Sequence, residues 1–184
     1  MLTEGTYPLL SYDDPDIRVM AEAMNAEWVL KEPNSAGWRR PDDYHVTTFF
    51  VGGRPDNFKN ELCTNFVPSV QVPVRILALV VIPNRIIAGV CFPDHPIGNK
   101  CPHVTLMIKD CKPFMSNVLL EGTCLDDGPF TQAYKALKSD GRVKAGDELL
   151  KGTLQFDKGG PPSTVYFVFL ENPVEFGGVT KIYF

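Results

Sequence analysis

The chain has only three histidines in 184 residues, no C-x-x-C pair, and no apolar run approaching the ~18 residues of a membrane span. Each shortage excludes something. Without closely paired cysteines, the five thiols (Cys63, Cys91, Cys101, Cys111 and Cys124) indicate neither a zinc site nor a disulfide framework, and they read as free. A net charge of −4, from 18 basic and 22 acidic side chains, leaves no broad basic surface for gripping a long duplex by its phosphates. A small ligand or a nucleic-acid end is still allowed. The opening MLTEGTYPLLSYDD lacks a basic stretch followed by a long apolar one, so the expectation is a soluble protein of a reducing compartment, the cytoplasm first and the nucleus as the alternative, with no membrane partner. The glycine pairs at 52, 159 and 177 lack the G-x-x-x-x-G-K pattern of a phosphate loop and read as turns.

What is present is a chain with 44% hydrophobic residues, enough for the core of a single domain over 1–184. DDPDIRVMAEAMNAEW opens with Asp13 or Asp14 and Pro15, then places Ile17, Met20, Met24 and Trp28 at helical spacing. The Pro- and Gly-containing stretch 31–43 is a loop leading to an expected strand at 44–51, YHVTTFFV. A short helix is expected within 54–66. VPVRILALVVI and RIIAGVCF flank Pro83-Asn84 as a hairpin of long apolar strands. After a loop at 93–101 comes a further strand, PHVTLMI, at 102–108. A helix follows at 129–139 through Phe130, Tyr134 and Leu137, and strands close the chain at 149–156, 163–170 and 180–184. Hairpin-linked strands without a regular strand-helix alternation define an α+β class with antiparallel sheet.

Two of the three histidines share a pattern: HVT at 45–47 and HVT at 103–105, each within an apolar run. Residues two apart on a strand project from one face, so His45 pairs with Thr47 and His103 with Thr105. If the strands are neighbours, two imidazoles and two hydroxyls line one groove. With an ordinary pKa of roughly 6.5, one imidazole holds a proton near neutrality while the other lacks one. Hydrolysis of a phosphodiester needs that division, a base for water and an acid for the departing oxygen. Hydroxyls beside them stabilise charge on the phosphoryl oxygens. No carboxylate sits at ligand spacing from either histidine, so the economical reading needs no metal and no cofactor.

These motifs, YHVTTFF and PHVTLMI, resemble those of the two-histidine (2H) phosphoesterases, which carry two copies of His-x-Thr/Ser among apolar neighbours. The resemblance implies a two-lobed, pseudo-symmetric α+β fold with antiparallel sheets around a central cleft. It also implies that His45 and His103 are the acid-base pair and that Thr47 and Thr105 donate to phosphate oxygens. The short path between the motifs is similar to that of the cyclic phosphodiesterase domain of fungal-type tRNA ligases. The expected activity is therefore opening of a 2',3'-cyclic phosphate to a 2'-phosphate, by a monomer acting on an RNA 3' end or a small nucleotide. Two alternatives differ in substrate or in class: a phosphodiesterase for 2',5'-oligoadenylate or a cyclic oligonucleotide that antagonises immune signalling, and a nucleotide-binding module without turnover.

A lone histidine on an apolar strand is usually a satisfied core residue, and it is the duplication that reverses this reading. His95, between prolines, is expected at the surface. Arg39, Arg40, Arg54, Lys100, Lys109 and Lys112 are solvated charges by default; Lys100 and Lys109, flanking the second motif, are the candidate phosphate contacts. Tyr44, Phe50, Phe92 and Tyr134 could stack a base, with Tyr134 the candidate substrate contact and Phe50 read as core.

Overall fold

The computed structural model describes residues 37–52 and 54–182, and the helix expected over 13–28 lies outside them. Gln71–Ile82 (β1) and Ile86–Pro93 (β2) form the foreseen hairpin. Its turn puts Asn84 at φ 59°, a left-handed conformation that Asn accepts more readily than most residues. His103–Ile108 (β3) pairs with β2, while Ser163–Val179 (β5) pairs with the other side of β1 and with Leu149–Leu154 (β4). The result is one five-stranded antiparallel sheet in the order β3-β2-β1-β5-β4.

Both faces of the sheet are covered, which explains why β1 and β2 read as continuous apolar runs. On one face, Ala78, Val80, Ile82, Ile86 and Val90 pack against Leu119 and Leu120 of helix Met115–Cys124 (α2) and Leu137 of helix Thr131–Asp140 (α3). On the other, Ile76, Leu79, Val81, Ile87, Met107 and Tyr166 pack with Trp38. Burying each Leu or Ile fully contributes about 1.5–3 kcal/mol. α3 ends at Gly141, whose φ of 67° closes the helix with an N–H donated to the Leu137 carbonyl.

The α+β class and the antiparallel sheet hold. The described residues form a single sheet, with no second one to make the other lobe of a pseudo-symmetric pair. Four local expectations need correction. Residues 44–51 form no strand. Residues 180–182 are not a strand either; instead β5 runs on to Val179, with Gly177 and Gly178 in the ladder opposite Pro73 and Val72 rather than in a turn. The helix within 54–66 is a 3-10 turn, Pro55–Lys59, followed by the single turn Glu61–Thr64 (α1), capped by Asn60 Oδ1 accepting from Leu62 N at 2.9 Å. Helix α2 has no counterpart among the expected elements.

Candidate functional site

β3 is an edge strand, and the segment before β1 runs antiparallel along it. Arg39 and Ile108 exchange both backbone hydrogen bonds at 2.9 Å. Further along, the Tyr44 hydroxyl donates to the Leu106 carbonyl at 3.5 Å. Gly98 N and Asn99 N then both donate to the Thr48 carbonyl, at 2.8 and 3.0 Å. Asn99 completes the tie: its Nδ2 donates to Thr47 O at 3.0 Å and its Oδ1 accepts from Cys101 N at 3.0 Å. Gly98 is required there, since a Cβ would stand 2.7 Å from the Phe49 ring and 2.8 Å from Leu62. These contacts tie the first HVT copy to the loop that leads into the second, and the charge of His45 acts on His103.

The absence of a strand at 44–51 follows from where its hydrogen bonds go. The Thr47 and Thr48 carbonyls are taken by Gly98 and Asn99 rather than by successive residues of one partner, so no ladder forms. The exposed ring of Phe50, 80% accessible, corrects its reading as core.

The second copy is built tightly. His103, 8% exposed, points toward α2. Its Nδ1 lies 2.8 Å from the Cys101 carbonyl, an acceptor only, so that nitrogen carries the proton. Nε2 lies 3.0 Å from Ser116 Oγ. Ser116 in turn receives the Thr105 hydroxyl at 2.8 Å and faces the Pro113 carbonyl at 2.9 Å. Burial is the main cause that holds the His103 imidazole below its ordinary 6.5; the Cys101 carbonyl opposes the shift, the charge of His45 adds to it, and Glu121 opposes it. Ser116 carries no signal in the sequence pattern; it stands in the first turn of α2, which brings a serine under the strand.

Among the described residues, the groove that includes His45 does not include His103. A groove of about 390 Å³ is lined by His45, His95, Tyr44, Phe66 and Val104, but not by His103 or Thr105. Alternation along β3 is the cause: Val104 forms the groove wall, so its neighbours face α2. A bulge between Thr105 and Met107 then restores Ile108 to the helix face. His95, expected at the surface, is half-buried in this groove and meets Phe66 edge-on at 6.1 Å.

The other candidates separate. Lys100 is exposed next to Asn99, with its side chain at the surface. Lys109 is six residues beyond His103 on an extended chain, about 20 Å away, and its side chain lies on Gly37, so it does not flank the site as expected. Tyr134 is 3% exposed, donates its hydroxyl to the Lys100 carbonyl at 2.7 Å and packs on Phe92. Both rings are therefore used inside the protein, which corrects the expectation that Tyr134 stacks on substrate. Arg39 donates to the Cys111 carbonyl at 3.2 Å, whereas Nε and Nη2 of Arg40 are buried with no hydrogen-bond partner among the described residues. The five cysteines are free thiols, and burial pushes that of Cys91 up to about 12. Among the described residues no three His, Cys, Asp or Glu side chains are grouped to hold a metal ion, and no helix is long and apolar enough to cross a membrane.

Comparison of the sequence with protein-family models and with curated proteins gives no match. Among solved structures, the crystal structure of a fungal RNA kinase is similar at a TM-score of 0.49 and 16% identity, over 97% of this chain and 47% of that one. The present chain thus spans about half the length of that protein.

Proposed function

We propose that the protein is a metal-independent phosphodiesterase of the 2H type that opens a 2',3'-cyclic phosphate, on an RNA end or a nucleotide, to a 2'-phosphate. The observation that supports this reading is the tie of the first HVT segment to the strand of the second: Arg39 pairs with Ile108, and the Thr47 and Thr48 carbonyls accept from Asn99 and Gly98 on the loop that leads into β3. In the proposed reaction one imidazole of the pair His45 and His103 takes a proton as water attacks phosphorus. The bond from phosphorus to the 3'-oxygen breaks, and the other imidazole supplies the proton that oxygen needs. Thr47 and Thr105 supply hydroxyls beside the phosphate, and the exposed Lys100 is available to its charge. The substrate then meets the second copy at its half-buried Thr105.

The test is incubation with 2',3'-cyclic AMP and with 2',5'-linked triadenylate, in EDTA, with products resolved. Formation of 2'-AMP is expected. Cleavage of the triadenylate alone would transfer the same site to a signalling oligonucleotide. One observation favours a second reading: the groove is lined by His45, His95, Tyr44 and Phe66 but not by His103. That arrangement suits a nucleotide-binding module without turnover, and nucleotide binding in the absence of any product would establish it.

A further inference from the structure

Both ring nitrogens of His103 are occupied from within the protein, Nδ1 by the Cys101 carbonyl and Nε2 by Ser116 Oγ. A substrate therefore has no direct approach to this imidazole. Ser116, 2% exposed, is equally out of reach. The group of this cluster that meets the surface is Thr105, half-buried, whose hydroxyl lies 2.8 Å from Ser116 Oγ.

We propose that Ser116 is the positioning residue of the site, holding His103 with Nε2 as its working nitrogen and joining it to Thr105 through a chain of two hydroxyls. This rests on the phosphodiesterase reading given above. The protons balance along the chain. A proton arriving at Thr105 Oγ1 lets Thr105 pass its own to Ser116 Oγ, and Ser116 passes its own to Nε2. Each hydroxyl ends with one proton and the imidazole with two; the reverse sequence releases one at Thr105. The neutral state uses Ser116 as donor to Nε2. The charged state uses Nε2–H as donor to Ser116 Oγ, and the Ser116 proton then turns to the Pro113 carbonyl, 2.9 Å away. Both states of a buried imidazole are thereby hydrogen-bonded, which a buried group that must change charge requires.

The groups that act on the His103 ring come from each neighbouring element: the Cys101 carbonyl on the entry to β3, His45 on the edge segment and Glu121 on α2. None of them reaches Nε2 with an acceptor in place of Ser116. Removing the hydroxyl strips a partner from both states, and the charged state loses more.

The experiment follows the imidazole nitrogens of ¹⁵N-labelled protein by NMR against pH, beside the pH–rate profile for 2',3'-cyclic AMP. In the wild type, neutral His103 is expected as the Nδ1–H tautomer. In Ser116→Ala its titration midpoint falls by about half a pH unit or more, and the limb of the rate profile governed by His103 moves with it. Ser116→Thr, which keeps the hydroxyl, restores both. A folded Ser116→Ala protein with an unmoved titration overturns the proposal. So does an Nε2–H tautomer in the wild type, a result that needs no variant to fold. Turnover that depends on His103 with no shift in Ser116→Ala would sink the relay and leave the phosphodiesterase reading. The shift without any wild-type turnover would sink that reading and leave Ser116 as the partner of His103.

Discussion

The two HVT copies have the same three residues and opposite surroundings. His103 is buried on a paired strand with both ring nitrogens engaged, while His45 is exposed on an irregular segment, with Nδ1 3.4 Å from the Asp43 carbonyl. The flanks make the difference. PHVTLMI continues into residues that pack on both faces, Met107 on one and Ile108 on the other, and it has β2 to pair with. YHVTTFF ends in a solvent-facing Phe50, and its carbonyls are drawn to the loop at 98–99. A short motif therefore specifies which chemistry is on offer, and its neighbours decide how firmly each copy is held.

The contrast predicts separable effects of mutation. His45→Ala and His103→Ala should each lower turnover of 2',3'-cyclic AMP by about 100-fold or more, with smaller losses for Thr47→Ala and Thr105→Ala. Stability distinguishes the two histidines. His103→Ala removes the buried hydrogen bonds to Ser116 and to the Cys101 carbonyl and should cost about 1–3 kcal/mol in urea unfolding, whereas His45→Ala should stay within about 0.5 kcal/mol.

Gly98→Ala should loosen the tie between the copies. Its Cβ would meet the Phe49 ring at 2.7 Å, so a loss of about 1–3 kcal/mol is expected, with turnover falling as the first copy shifts. Asn99→Ala removes one hydrogen bond to the first copy, at Thr47 O, and one to Cys101 N just before the second, and should cost about 1–2 kcal/mol.

The pH dependence of stability sharpens the same comparison. Burial lowers the His103 pKa below 6.5 in the folded state, so the unfolded chain binds more protons in the window just below that value. The His103 contribution is accordingly full above 6.5 and is lost as pH falls from there through the lowered native pKa. Unfolding curves at a series of pH values should show this slope in the wild type and lose it in His103→Gln. At the small end, Phe50→Ser should change stability by less than about 0.5 kcal/mol, because that ring is 80% exposed.

The hairpin of β1 and β2 was legible because two long runs rich in Val and Ile flank Pro83-Asn84, and no helix pattern competes. Strand β3 and helix α3 were legible for the same kind of reason, a clear period closed by a turn or by Gly141. Helix α2 was not, since Gly122 and Thr123 interrupt a short apolar stretch and no side chain caps its start. The extension of β5 was hidden by Asn172-Pro173. Those residues fall in an irregularity where Leu77 faces the unpaired stretch 170–173, one of the few places in a sheet that tolerates proline. In the candidate site the two motifs themselves were readable. The direction in which His103 points was not, because it follows from which face of β3 the helix covers. Ser116 lay hidden with that helix, and the tie through Asn99 depends on a loop whose path no local pattern specifies.

The central claim is that the two copies act as one acid-base pair, and it is tested most directly by the pH–rate profile of 2'-AMP formation from 2',3'-cyclic AMP, measured in EDTA for the wild type, His45→Ala and His103→Ala. The account predicts a bell-shaped profile for the wild type, with each variant reduced by about 100-fold or more and lacking one limb. Wild-type turnover that survives either substitution at full rate would contradict it.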